Sequence, residues 1–291
     1  MGKIHQRKIA MINDISGYGR CSLTVAIPIL SAMGVQCCPV PTSILSNHTG
    51  FPVWFFDDYT DKMGQYLEKW KELKLSFDGI ATGFLGSERQ IQMVMEAIEE
   101  FRTPNTRVMV DPIMGDHGKA YATYTPKLCQ EMEKLVRLAD VVTPNVTESC
   151  ILTGRQYKSF GWSRKELVAM AKEIQAMGPD FVVITGVASQ PKEDKHQQDS
   201  QGSLTNVMLK PDGEVCFQRS KKAGRERPGT GDVFSSIVSG AAVLGWELQD
   251  GVKLAAWFVK RCIEKSDELD VPVTNGVCFE LVLPELIRRL K

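Results

Sequence analysis

Between Arg227 and Ser236 the chain reads R-P-G-T-G-D-V-F-S-S. Two glycines bracket a threonine, a carboxylate follows, and the run V-F-S-S-I-V-S-G-A-A-V-L behind it predicts a helix that opens here. The bare N–H groups of a helix N-terminus form an anion site, so a carboxylate at that place needs a reason. Phosphoryl transfer supplies one, because it requires donors for the charge on the transferred group and an acceptor for the proton leaving the attacking hydroxyl. Gly229, Thr230 and Gly231 can supply the donors and Asp232 the base. No lysine of the Walker type is present in the loop, which excludes a P-loop. An ordinary N-capping aspartate after a glycine turn would account for the same four residues.

Other residues suited to this chemistry stand where strands are expected to end. Asp111 follows the apolar run 107–110, and T-P-N-V-T-E (143–148) follows Val141-Val142. Ligands of α/β proteins collect at such carboxyl edges. On a helix beginning at Pro144, Asn145 and Glu148 lie three apart and share a face. With Asp111 they make an oxygen-rich set suited to Mg²⁺ held through waters. Each alone is equally a helix cap or a solvated acid. A second glycine loop, S-G-Y-G-R-C-S (16–22), partly imitates a dinucleotide fingerprint. Ser22 replaces its third glycine and no acid follows about 20 residues on, so a tight turn is the better reading.

The elements that must position these residues alternate. Strands are expected at Ile9–Ile12, Val35–Ile44, Gly79–Thr82, Arg107–Val110, Val141–Val142 and Phe181–Ile184. Helices are expected at 21–33, from Thr60 as a cap with Met63, Leu67, Trp70 and Leu73 on its core face, after Ser87, and at 126–138 and 163–177. That rhythm predicts one α/β domain over 1–291, a three-layer α/β/α sandwich with a central, mainly parallel sheet. A hairpin is expected from 203–209 and 214–218, and the polar segment 189–202 reads as a surface loop.

The 291 residues carry 35 basic and 35 acidic side chains, so no net field draws the protein to nucleic acid or to an anionic membrane. Eight cysteines without a C-x-x-C and four scattered histidines offer no zinc spacing. The apolar runs fall short of a membrane span, and no signal peptide or myristoylation pattern is read at the start, so a cytoplasmic location is expected.

With G-T-G-D at 229–232, D-P at 111–112, T-P-N-x-x-E at 143–148 and V-I-T-G at 183–186, the sequence resembles the ribokinase-like superfamily. S-N-H-T at 46–49, D-P-I-M-G-D at 111–116 and T-G-F at 82–84 narrow the resemblance to pyridoxal kinases. The resemblance implies ATP-dependent phosphorylation of the 5′-hydroxymethyl group of a vitamin B6 form. In it Asp232 is the base, the 229–231 amides form the anion hole, and Asp111 and Glu148 serve Mg²⁺ and ATP. It also implies Asn145, Thr185, Gly186, Arg225 and Thr230 near the nucleotide, Thr49 against the pyridine with His48 beside it, a phosphate-side flap at 115–121, and a homodimer. Arg227 is expected either to touch phosphate or to be solvated.

Two positions depart from that family. Asp14 stands where a serine usually meets the pyridine, and Phe84 where a tyrosine is common. An acid at the first position also suits the related hydroxymethylpyrimidine kinases, which remain the alternative. Further alternatives are a sugar or nucleoside kinase and a catalytically silent vitamer-binding protein on the same scaffold.

Overall fold

Strand and helix alternate along most of the computed structural model, which describes residues 5–189 and 202–290. In chain order the elements are β1 (Lys8–Tyr18), α1 (Leu23–Ala32), β2 (Gln36–Asn47), β3 (Phe56–Asp58), α2 (Thr60–Glu72), β4 (Gly79–Thr82), α3 (Glu88–Phe101) and β5 (Arg107–Val110). The short β6 (Gly115–Asp116) and β7 (Lys119–Ala120) follow, then α4 (Pro126–Val136), β8 (Val141–Val142), α5 (Val146–Thr153), α6 (Arg164–Gln175) and β9 (Phe181–Ala188). The chain closes with β10 (Ser203–Leu209), β11 (Val215–Lys221), α7 (Thr230–Val243), α8 (Leu248–Glu268), a 3₁₀ turn at Val273–Asn275 and α9 (Leu283–Arg289). The expected class, a mainly parallel sheet flanked by helices, is the one observed.

The chain groups into two compact units. One joins Met1–Val108 to Gly224–Lys291 and the other is Met109–Ala223. In the first, β1 pairs in parallel with β2 and with β4, and β3 adds antiparallel to β2. Flanked on both edges, β1 buries Ile9, Ala10, Met11 and Ile12 almost completely, which is why it reads as an unbroken apolar run. Behind it, α7 is buried nearly all round and packs on α1 and α8. A Cβ on Gly240 would meet the Met33 sulfur at 2.7 Å and one on Gly251 the Ala241 Cβ at 2.6 Å, so glycine permits the close approach. In the second unit β8 pairs in parallel with β5 and β9, and β10 and β11 continue antiparallel.

Several expectations need correction. The helix α2 starts at Thr60, whose N–H and hydroxyl both go to Asp58 Oδ1, so Asp58 is the capping side chain. Leu73, expected in the core, lies beyond the last helical residue and is 68% exposed. Proline at 144 precedes the helix it was expected to open, because Asn145 is the N-cap of α5. The hairpin is longer than expected, with β11 extending to Lys221. The interior of the segment read as a polar loop, 190–201, lies outside the described residues.

Candidate functional site

In the first unit the site is built around the start of α7. Gly229 is its N-cap at φ +80°, a left-handed backbone, and a Cβ there would fall 1.8 Å from the Arg20 carbonyl oxygen. Glycine is required on both counts. No side chain caps α7, and Thr230 Oγ1 turns back to the Arg227 carbonyl at 3.2 Å. At Gly231 a Cβ would meet nothing within 4 Å, so the amide end of the helix opens onto space. Asp232 is the third residue of this helix.

The middle of β1 is what meets Asp232. Asn13 Nδ2 donates to its Oδ1 at 3.3 Å, and the Ser22 backbone N–H also bonds the carboxylate. Asp232 retains some surface, but its carboxyl group is enclosed by protein. Burial, reinforced by the nearby Asp14 charge, raises its pKa to about 6 against the two N–H bonds. Asp14 is 6% exposed and takes the Ser16 hydroxyl at 3.2 Å and the Ser22 side chain. Burial raises its pKa too, with these hydroxyls opposing. Ser22 thus serves both carboxylates, from a backbone at φ +56° that non-glycine residues rarely adopt.

The S-N-H-T segment closes β2. His48 donates from Nε2 to the Thr274 carbonyl at 2.7 Å and accepts the Gly50 N–H at Nδ1, so both ring nitrogens are engaged within the protein. Its ring packs on Phe51 at 4.7 Å. Thr49 is exposed. Phe84 donates its N–H to Asn13 Oδ1 and accepts the Thr42 hydroxyl at its carbonyl. A strap over 272–276 ties this region together through its carbonyls: Pro272 and Gly276 take Arg227, Thr274 takes His48, and Asn275 takes Arg20.

Arg227 is neither solvated nor turned to an open site. Its side chain is fully buried and pairs with Asp267 at 2.8 Å. Arg225 is exposed and contacts the same carboxylate as well as Asp270. The two arginines hold the Asp267 carboxyl below its usual range, Arg227 most of all.

In the second unit Asn145 and Glu148 form a capping box on α5. Glu148 N donates to Asn145 Oδ1 at 2.9 Å, and Glu148 Oε2 accepts the Asn145 N–H at 2.7 Å. The other carboxylate oxygen accepts the Met114 N–H at 3.2 Å. Burial pushes the Glu148 carboxyl well above its usual range, and the negative charge of Asp111 adds to it. Asn145 also anchors the β6–β7 hairpin by donating to the Gly115 carbonyl at 2.9 Å. Thr185 N–H reaches the Pro144 carbonyl, and Gly186, at φ +68°, donates to Asn206 Oδ1.

Among the described residues no group of three or more His, Cys, Asp or Glu side chains is arranged to cage a metal. The repelling pair Asp111 and Glu148 fits a different kind of site, in which Mg²⁺ takes one or two carboxylates and completes its shell with water and phosphate oxygens. Asp232, Asp111, Asn145 and Glu148 are candidates from the sequence; Asn13 and Ser22, whose N–H groups bond the Asp232 carboxylate, are not among them. Their signal was position: a polar residue closing an apolar strand, and a serine where a glycine fingerprint breaks.

Residues 29–276 match the phosphomethylpyrimidine kinase family. Pyridoxal kinase of Sus scrofa is 31% identical over 228 residues, covering 72% of this chain and 66% of the pig protein, just under two thirds of its length. The Ovis aries enzyme is 31% identical over 229 residues, 72% of this chain and 69% of its own. A Bacteroides thetaiotaomicron protein, provisionally assigned as a phosphomethylpyrimidine kinase and solved in one form with pyridoxal, superposes with a TM-score of 0.89 at 37% identity, covering 97% of this chain and 96% of that one. The chain belongs to the phosphomethylpyrimidine kinase family, on its pyridoxal kinase branch within the ribokinase-like superfamily.

Proposed function

We propose that this chain, as a single kinase domain, transfers the γ-phosphoryl group of ATP to the 5′-hydroxymethyl group of a vitamin B6 form. The observation that carries the reading is Asp232 at the amide end of α7. It is a carboxyl group with pKa about 6, held by two N–H donors, next to a glycine whose side-chain position is open. The pyridoxal seen with the Bacteroides relative supports the acceptor class.

Each unit carries residues proposed for this chemistry. In the first, Asp232 accepts the hydroxyl proton as the substrate oxygen attacks the γ-phosphorus and the bond to ADP breaks. A base whose pKa lies just below neutral is ionised at pH 7 yet more basic than an ordinary carboxylate. The N–H groups of 229–231 receive the charge of the transferred group. Asp14, Thr49, His48 and Phe84 are the proposed contacts of the pyridine, His48 through its ring face because its nitrogens are occupied.

In the second unit Asp111 and Glu148, through water, would hold Mg²⁺, which neutralises phosphate charge when bound. Asn145, Thr185 and Gly186 are the nucleotide contacts proposed in this unit, and Thr230 and Arg225 those proposed in the first. A homodimer and a cytoplasmic location belong to the same reading.

The hydroxymethylpyrimidine alternative is supported by the description of the matching family, by the acid at position 14, and by a 24% identity over 284 residues to the thiamine biosynthetic bifunctional enzyme of Arabidopsis thaliana, of which the chain covers 49%. Coupled ADP release measured with pyridoxal, pyridoxine, pyridoxamine and hydroxymethylpyrimidine decides between them. Turnover of the B6 vitamers well above that of the pyrimidine is expected, and the reverse order would replace the proposal by its alternative.

A further inference from the structure

Asn13 has no role in the mechanism above, yet it is the side chain that touches the base. It is 1% exposed, at the centre of β1. Its Oδ1 accepts the N–H of Asp14 at 3.0 Å and that of Phe84 at 2.8 Å. Two backbone donors on one oxygen fix the orientation of the amide, so Nδ2 is the group turned to Asp232. Gly83 completes the arrangement. A Cβ there would lie 2.3 Å from the Asn13 Cγ and Nδ2, although the backbone at Gly83 is not left-handed. Glycine is needed at 83 for the room it leaves to Asn13.

We infer that Asn13 is a positioning residue for phosphoryl transfer: its amide, clamped by two backbone N–H groups, holds the Asp232 carboxylate in one orientation and favours its ionised form. The inference rests on Asp232 being the base. The other titratable groups facing Asp232 are Asp14, whose charge opposes ionisation, and Cys21, whose thiol burial pushes up to about 12. The Ser22 N–H acts with Asn13 in favour of the charged form. Without the Nδ2 donor, burial and Asp14 are less opposed, and the base titrates at higher pH.

The test is the pH dependence of kcat/KM for pyridoxal, read by coupled ADP release on the full chain, for wild type, Asn13→Asp, Gly83→Ala and Asp232→Asn. Asn13→Asp keeps the acceptor oxygen for both backbone N–H groups but replaces the donor by a carboxyl whose own charge also raises the Asp232 pKa, so its shift counts only where Gly83→Ala, which adds no charge, shows one too. Gly83→Ala leaves Asn13 in the sequence and displaces its amide. In both, the acidic limb should move up by about one pH unit, lowering kcat/KM near pH 6 by up to roughly tenfold with KM for ATP unchanged. If Asn13→Asp fails to fold, Gly83→Ala alone decides. An unmoved limb in the folded variants, with Asp232→Asn inactive, overturns the role of Asn13 and leaves the base in place. Normal turnover by Asp232→Asn overturns the reading on which the inference depends.

Discussion

Asp232 and Glu148 are each the third residue of a helix, α7 in the first unit and α5 in the second. Both stand where the helix dipole favours a negative charge, and burial raises the pKa of both. What differs is the residue three positions earlier. Before Glu148 it is Asn145, whose side chain accepts the Glu148 N–H while Glu148 reaches back to the Asn145 N–H, so the carboxylate is turned onto its own helix. Before Asp232 it is Gly229, which has no side chain to complete such a box. That carboxylate therefore meets Asn13 and Ser22 from other elements. An acid in a first turn is a cap or a base according to whether its N-cap can close the box.

Asp232→Asn is the most severe way to break the comparison. It keeps shape and loses the proton acceptor, so kcat should fall by ~10²–10⁴ in the ADP-release assay. Stability should move the other way. A carboxyl whose pKa is 3.8 unfolded and about 6 folded binds more protons in the native state between those values, so its contribution to stability declines as pH rises through that window. The amide escapes that decline. Thermal melts should therefore place Asp232→Asn above wild type at pH 7–8, by about 1–2 kcal/mol, with the gap closing toward pH 4. A less stable, fully active variant would return Asp232 to the status of a cap.

The glycines of the same loop separate fold from chemistry. Gly229→Ala forces a left-handed alanine against the Arg20 carbonyl and should cost roughly 2–4 kcal/mol in denaturant melts. Gly231→Ala meets only open space, so its melt should match wild type while kcat drops. A folded, fully active Gly231→Ala would count against the anion hole.

Asp14 comes next in size. Its contacts to Ser16 and Ser22 keep it beside the proposed pyridine site, where a carboxylate favours a protonated amine. Asp14→Ser should remove a preference for pyridoxamine worth about tenfold in kcat/KM while pyridoxal turnover persists. An equal change for all three vitamers would make Asp14 part of the turn only.

The smallest effect is expected on the other side of the comparison. Glu148→Gln retains an acceptor for the Asn145 N–H and relieves repulsion with Asp111, so the fold should hold while more Mg²⁺ is needed for half-maximal rate. Unchanged magnesium titrations would leave Glu148 as a cap and nothing more.

Much of this was legible in residue types. Apolar runs and their spacing placed the starts of these strands to within about a residue, since β1, β4, β5 and β8 are buried and read as apolar segments, but β1 and β9 run on past their apolar stretches to Tyr18 and Ala188. The motif G-T-G-D marked the helix that carries the proposed base. What stayed hidden depends on partners far along the chain. Arg227 could not be distinguished from a solvated arginine until Asp267 and the 272–276 carbonyls closed over it. The φ of Ser22 leaves no compositional trace, because a serine in a backbone suited to glycine is read as a failed glycine motif. Gln90 is similar. It is 2% exposed and bonds the Thr42 carbonyl and the Thr60 hydroxyl, although its sequence neighbours suggest only a helix surface.

The discontinuity of the first unit sets an order of events during synthesis. Its two segments, ending at Val108 and beginning at Gly224, are separated by the whole second unit. Asn13 and Asp232 are 219 residues apart, and Arg20 waits 260 residues for Glu280. Contacts this distant in sequence form late, after a large loop-closure entropy has been overcome. A ribosome that has translated as far as Ala223 has specified the residues proposed for Mg²⁺, but neither the proposed base nor the strap that fastens His48 and Arg20. The proposed acceptor half is assembled from two segments that flank the whole second unit in the chain.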